Sequence, residues 1–167
     1  REAFIRPGRD DRNWIHRTTS TAVGILPTAD DELSLYVARH YTAPSVHLER
    51  FVLRTDGFAS MHADAEGGEF VTKPLRYDGK QLSLNYATSA GGSIRVEVQD
   101  TNGYPIPGFE LERCVPIWGD EIGEAVVWER PKETWTDALS LDGLREGSIR
   151  LRFVMKDADL FSLRFAE

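Results

Sequence analysis

The chain has 167 residues, and its 27 acidic and 20 basic side chains give a formal net charge of −7. This negative charge repels phosphate, so we expect neither nucleic acid nor an anionic membrane as a partner. The hydrophobic content of 41% is ordinary for a folded protein, and the single cysteine excludes an internal disulfide or a cysteine-rich zinc site. No apolar run is long enough to predict a membrane-spanning segment.

The first 45 residues predict an irregular entry segment that carries only short strands. Residues 6–13 have no apolar periodicity, and strands are predicted at 21–25 and 33–38. The chain starts at Arg1 instead of Met and shows no signal-peptide pattern. We therefore expect it to be a processed or excised part of a longer protein.

From residue 46 onward, apolar and polar residues alternate between turn signals. Asp-Gly, Gly-Gly and Asn-Gly pairs, which suit tight hairpins, separate the alternating runs. The clearest runs are 82–86, 94–98, 149–155 and 160–165. This pattern predicts one all-β domain over 46–167, an antiparallel β-sandwich or jelly roll of about ten to twelve strands. A single helical turn is predicted over 134–141.

No motif of a known catalytic type is present. The chain lacks a nucleophile elbow, a zinc-protease helix, a phosphate-binding loop and a dinucleotide fingerprint, and its four histidines are scattered. We therefore predict no catalytic residue, no metal ligand and no cofactor. Calcium is the one metal that the loop carboxylates would suit as ligands.

The tryptophans are the strongest indication of a binding site. Trp118 and Trp135 lie in polar, loop-like sequence, where each is either a platform that stacks on a sugar ring or a lid over the edge of the sandwich. Trp128 ends an apolar run, and this context favours a place in the core. Cys114 has no histidine near it in sequence, so we expect a buried, inert thiol.

Several segments carry a resemblance to a known type of module. They are residues 53–60, 67–75, 84–92, 96–100 and 105–109. Together they resemble the C-terminal β-sandwich of bacterial proteins related to glycoside hydrolase families 32 and 43. In such proteins a five-bladed propeller holds the active site, and residues 1–14 resemble the last propeller strands and the linker that follows.

The resemblance implies an accessory module that packs against an upstream catalytic propeller of the same chain. The catalytic carboxylates of those families lie upstream of the module and have no counterpart here. A parent of this kind would be a glycoside hydrolase, and such proteins are often secreted or periplasmic. The resemblance names no sugar and leaves the compartment of this chain open.

Three hypotheses for the function follow, in decreasing order of preference. A non-catalytic accessory module predicts an exposed apolar patch where it meets its partner domain. A carbohydrate-binding module predicts exposed tryptophans beside polar groups; the candidate residues are Trp118, Trp135, Asp120, Arg113 and Glu69. A small jelly-roll enzyme that acts on polysaccharides predicts a cleft in which acids, histidine or a tyrosine–arginine set converge.

Overall fold

The computed structural model describes residues 4–14, 19–129, 140–144 and 147–167. These residues form nine strands and three short 3₁₀ turns. The strands are β1 Ser20–Thr21, β2 Leu26–Ala29, β3 Glu32–Arg39, β4 His47–Arg54, β5 Met61–Ala63, β6 Gly68–Val71, β7 Gln81–Gln99, β8 Asp120–Ala125 and β9 Arg150–Ala166. The 3₁₀ turns are Asp11–Asn13, Leu111–Arg113 and Leu141–Leu144. The prediction of an all-β fold with the antiparallel sheets of a β-sandwich is confirmed. The described residues form nine strands, whereas ten to twelve were predicted.

The chain divides into two compact units, Arg1–Gly57 and Phe58–Glu167. The division falls later than the boundary predicted between residues 45 and 46. The reason is that β4 pairs with β3 along its whole length, from His47 opposite Arg39 to Arg54 opposite Glu32. Because β4 completes the first sheet, it belongs to the first unit.

The first unit holds a four-stranded antiparallel sheet around β3. Strand β4 lies along one edge of β3, and β1 and β2 pair with successive parts of β3 as well. The strand predicted at 33–38 is confirmed within β3, whereas residues 22–25 of the strand predicted at 21–25 lie between β1 and β2. The predicted entry segment therefore contains one full strand, because the alternation in 32–39 buries side chains such as Val37.

The second unit is a five-stranded antiparallel sheet in the order β5-β9-β7-β8, with β6 also paired to β9. Its two central strands are long, at 19 residues for β7 and 17 for β9. The runs predicted at 82–86 and 94–98 are both part of β7, and those at 149–155 and 160–165 are covered almost entirely by β9. This merging of predicted strands explains the smaller strand count.

A pair of glycines in the middle of β7 was predicted to form a hairpin turn, and that prediction is wrong. Gly91 and Gly92 lie within β7, where its register with β9 shifts between Thr88 and Ser93. A Cβ on Gly92 would collide with the carbonyl oxygen of Asp157 and lie 2.8 Å from that of Lys156. The glycine is needed for close approach of two backbones, and the chain continues as a strand through an irregularity of the β-bulge type.

The core of the second unit lies on one face of the β7–β9 pair. It is built from alternate residues of both strands, among them Leu82, Leu84, Tyr86, Ile94, Val96, Val98, Leu151, Phe153 and Met155. Trp128 joins this core at 2% exposure, with its ring edge-on to Phe109 at a centroid distance of 5.2 Å. The prediction that Trp128 is a core residue is confirmed.

Side chains satisfy the backbone of Val96 at the edge of β7. The Val96 amide donates to Cys114 Sγ at 3.2 Å, and the Val96 carbonyl accepts from Trp128 Nε1 at 2.9 Å. Cys114 is buried as predicted, and this burial raises the pKa of its thiol. Two side chains thus take the place that a neighbouring strand would have, so these backbone groups are paired although they are buried.

Candidate functional site

A cleft of about 270 Å³ lies next to Trp118 in the second unit. Its wall is mostly apolar, from Val115, Pro116, Ile117, Val127 and Trp118 itself. The Trp118 side chain is 71% exposed, which is unusual for so large an aromatic ring. The cleft is near the lower end of ligand-pocket volumes, so it suits a unit of about one ring in size.

Backbone hydrogen bonds hold Trp118 where the chain enters β8. On one side of it, Ile117 pairs with Ile94 of β7 through two backbone bonds of 2.8 and 2.9 Å. On the other side, the Gly119 carbonyl accepts from the Thr88 amide at 2.7 Å, and the Gly119 amide donates to Thr88 Oγ1 at 3.0 Å. Because its neighbours on both sides are tied to β7, the exposed ring stands on a fixed backbone.

Tyr86 contributes the buried part of the cleft. Its side chain is 1% exposed, and its hydroxyl donates to the Trp118 carbonyl at 3.3 Å. Burial raises the pKa of Tyr86, and the negative charges of Glu124, Glu121 and Asp120 raise it further. The hydroxyl therefore stays protonated at neutral pH.

The strand register places two of these carboxylates on the same sheet face as Tyr86. Glu121 lies opposite Tyr86, and Glu124 lies opposite Leu84, whose side chain is in the core. Glu124 is the one charged residue among the described residues that line the cleft. Asp120 lies opposite Ala87, so its side chain belongs to the other face of the sheet.

The four predicted binding residues that the structure describes are therefore not brought together. Trp118 lines the cleft, and Asp120 is close to it in sequence but faces away from it. Arg113 forms an ion pair with Glu110 at 2.9 Å. Neither Arg113 nor Glu69 lines the cleft. Trp135 and most of the predicted helical turn over 134–141 lie outside the described residues.

Glu69 has a partner elsewhere on the sheet. It stands on β6, and its carboxylate accepts from Arg152 of β9 at 2.6 Å. The two hydrogen bonds from the Arg152 guanidinium to Glu69, with the nearby charge of Glu97, raise the pKa of Arg152. Glu69 is thus held in a cross-strand ion pair at the β9 edge, whereas the cleft borders β7 and β8.

Glu121 and Glu124 of the cleft region were not among the predicted binding residues, and Tyr86 was a candidate only for the tyrosine–arginine set of the enzyme hypothesis. Tyr86 lies in a run whose alternation predicts core side chains, and nothing local distinguishes it from Leu84. The two glutamates lie on β8, which has no clear alternation because Gly123, with a φ of +93°, interrupts it. A predicted strand over 120–125, paired with the run at 82–86, would have placed both glutamates near Tyr86.

A second polar cluster occupies the end of β3 in the first unit. His40 Nε2 lies 3.0 Å from Asp10 Oδ2, and His40 Nδ1 lies 3.0 Å from Ser45 Oγ and 3.2 Å from the Ser45 carbonyl. Asp10 also accepts from the Arg12 side chain and amide, and mainly these bonds hold the pKa of Asp10 well below its usual range. The His40 amide donates to Asn13 Oδ1 at 3.0 Å. Because the bonds of His40 to Asp10 and Asn13 tie segment 4–14 to the end of β3, we assign the cluster a structural role.

The described part of the chain holds no group of three or more histidine, cysteine, aspartate or glutamate side chains that is placed to bind a metal ion. None of the helices within the described ranges is long and apolar enough to cross a membrane. Comparison of the sequence with models of protein families and with curated proteins, and of the fold with solved structures, finds no match.

Proposed function

We propose that this chain is a non-catalytic carbohydrate-binding module whose ligand site is the cleft beside Trp118. The observation that carries the proposal is the exposed indole on a fixed backbone in the wall of a cleft that apolar residues and Glu124 line. An aromatic face packs against the C–H face of a sugar ring and buries apolar surface there. Glu124 and Glu121 supply acceptors for the sugar hydroxyl groups.

The decisive test is the dependence of glycan binding on Trp118. The chain is run by affinity electrophoresis through gels that contain plant, algal and microbial polysaccharides, and the best ligand is then titrated by calorimetry. Trp118→Ala is expected to weaken binding about tenfold, which corresponds to about 1.4 kcal/mol. Trp14→Ala is the matched control, since Trp14 is an exposed tryptophan of the first unit.

Three outcomes decide the proposal. Binding that is lost in Trp118→Ala and kept in Trp14→Ala supports it. Unchanged mobility of the folded wild-type chain in every gel refutes it, as does binding that is equally strong in both variants. Far-ultraviolet circular dichroism of all variants establishes that each is folded.

A second candidate function, docking against an upstream domain of the same chain, is favoured by three exposed apolar side chains in the first unit, which flank the ion pair of Arg50 with Glu32. Leu26, Leu48 and Val52 are each more than half exposed. Leu26 and Val52 both lie opposite Ser34, and Leu48 lies opposite Ala38 four residues further along β3, so all three side chains share one sheet face. An accessory module of the glycoside hydrolase type would bury such a face against its catalytic partner.

The test of the docking role compares this chain with a longer natural polypeptide that includes a preceding domain. Leu48→Lys is expected to lower the melting temperature of the longer polypeptide and to leave that of the 167-residue chain nearly unchanged. Tyr104→Lys is the control, because Tyr104 is an exposed aromatic residue of the second unit. Equal effects of Leu48→Lys in both polypeptides would argue against docking at this face.

A further inference from the structure

We infer that the Trp118 cleft selects cationic amino sugars over neutral and acidic glycans. The inference rests on the proposed glycan-binding function and names the class of ligand for the same site. It follows from the combination of the exposed face of Trp118 with the negative charge of Glu124 in the wall of the cleft.

The charge on the described wall of the cleft is negative. Glu124 lines the cleft, and Glu121 stands on the same sheet face of β8, opposite Tyr86. The remaining described lining residues are apolar apart from the Tyr86 hydroxyl, which points to the Trp118 carbonyl. The carboxylate of Glu124 attracts an ammonium group and repels a uronate or a sulfate ester. Arg164 of β9, whose guanidinium lies against Gly123 between the two glutamates, does not line the cleft.

The raised pKa of Tyr86 supports this view of the local field. Burial is its largest cause, and the next two causes are the charges of Glu124 and Glu121. A field that opposes the formation of a phenolate at Tyr86 likewise opposes an anionic ligand beside it. The same field favours a ligand that brings a positive charge.

Trp118 suits the same ligand. An ammonium group over the face of an indole ring is attracted by the ring's negative electrostatic potential, and tryptophan is the best of the aromatic residues in this respect. A hexosamine offers its C–H face for stacking and its ammonium group for the carboxylates. A hexose with a hydroxyl in place of the amine can make only the first of these two interactions.

The experiment compares oligosaccharides that share one backbone and differ in charge. The glucosamine tetramer, the N-acetylglucosamine tetramer and cellotetraose all have β-1,4 linkages, and an oligogalacturonate supplies the acidic arm. Each is titrated by calorimetry into the full chain at low and at high salt. We expect the glucosamine tetramer to bind about tenfold more tightly than cellotetraose, with the difference reduced at high salt.

The variants locate the source of the selectivity. Glu124→Gln is expected to weaken binding of the glucosamine tetramer about threefold to fivefold, because an exposed ion pair contributes little more than that, and to weaken binding of cellotetraose less, since the glutamine keeps a hydrogen-bond acceptor for the sugar hydroxyl groups. Glu66→Gln removes an equal charge from an exposed turn between β5 and β6 and should have no effect. A lysine tetrapeptide tests whether the cleft takes any flexible cation.

Each result supports or overturns the inference. Selective, salt-sensitive binding of the glucosamine tetramer that depends on Trp118 and Glu124 supports it. Equal binding of all neutral and charged tetramers, still dependent on Trp118, overturns the selectivity and leaves the proposed function standing. Tight binding of the lysine peptide without cellotetraose binding overturns the assignment to a sugar, and no binding of any oligosaccharide overturns both proposals.

Discussion

The close approach of β7 and β9 at Gly92 gives a sharp prediction for the stability of the second unit. A Cβ at residue 92 would overlap the Asp157 carbonyl oxygen, lie 2.8 Å from the Lys156 carbonyl oxygen and lie 3.0 Å from the Cβ of Thr88. The first two atoms belong to the backbone of β9, which has β7 on one edge and β5 and β6 on the other. Because that backbone is held on both sides, it cannot move away at low cost.

The predicted magnitude follows from this geometry. Forcing one methyl group into a closely packed site costs about 1–3 kcal/mol. The contacts at Gly92 are with fixed backbone, so we expect Gly92→Ala to lower the free energy of unfolding by about 3 kcal/mol. That is a large share of the total for a typical domain.

The neighbouring glycine is the matched control. A Cβ at Gly91 would meet no atom within 4 Å, so Gly91→Ala should change the free energy of unfolding by less than about 0.5 kcal/mol. Urea denaturation followed by far-ultraviolet circular dichroism measures both variants, and the slope of the transition checks that the unfolded state is comparable. If the two variants unfold at the same urea concentration, the close approach of β7 and β9 at Gly92 is refuted.

Three further predictions concern the core edge and the cross-strand ion pair. Trp128→Phe should lower the free energy of unfolding by about 2 kcal/mol, because the Val96 carbonyl loses its donor while it stays buried; denaturation in urea measures this, and an unchanged midpoint would contradict it. Cys114 should react with a thiol reagent at pH 8.5 only as fast as the chain unfolds, since burial raises its pKa and keeps it neutral; rapid labelling of the native chain would contradict this. Glu69→Gln should leave glycan affinity within about twofold of wild type, because Glu69 pairs with Arg152 at the other edge of the sheet; calorimetry with the best ligand tests it, and a tenfold loss would place Glu69 in the binding site.

The face of each long strand could be predicted from sequence, whereas the ends of the strands could not. Alternation at 82–86 and 94–98 correctly places those side chains in the core. The Gly91–Gly92 pair looks like a turn because two glycines favour one locally. Only the contact with Asp157, which lies 65 residues further along the chain, shows that Gly92 permits a close approach instead.

The cleft beside Trp118 was predictable only in part, for a related reason. The apolar run before Trp128 correctly predicts a buried ring, whereas the polar sequence around Trp118 left open whether that ring is exposed or packed as a lid. Charged side chains carry no such local signal, because their partners are set by tertiary pairing. Glu69 contacts an arginine 83 positions away, and the place of Glu124 depends on which strand lies beside β8.

The pairing of β7 with β9 also has a consequence for biosynthesis. Gln99 lies opposite Arg150 and Gln81 lies opposite Ala166, so every partner of β7 on that edge is synthesised at least 51 residues later. Strands that pair over such separations form slowly, because a long loop must close before any contact is gained. Until β9 emerges from the ribosome, one edge of β7 has no strand to pair with, and the apolar side chains of β7 lack those of β9 beside them in the core. Nascent chains that stall before residue 150 should therefore be the form of this protein that depends most on chaperones.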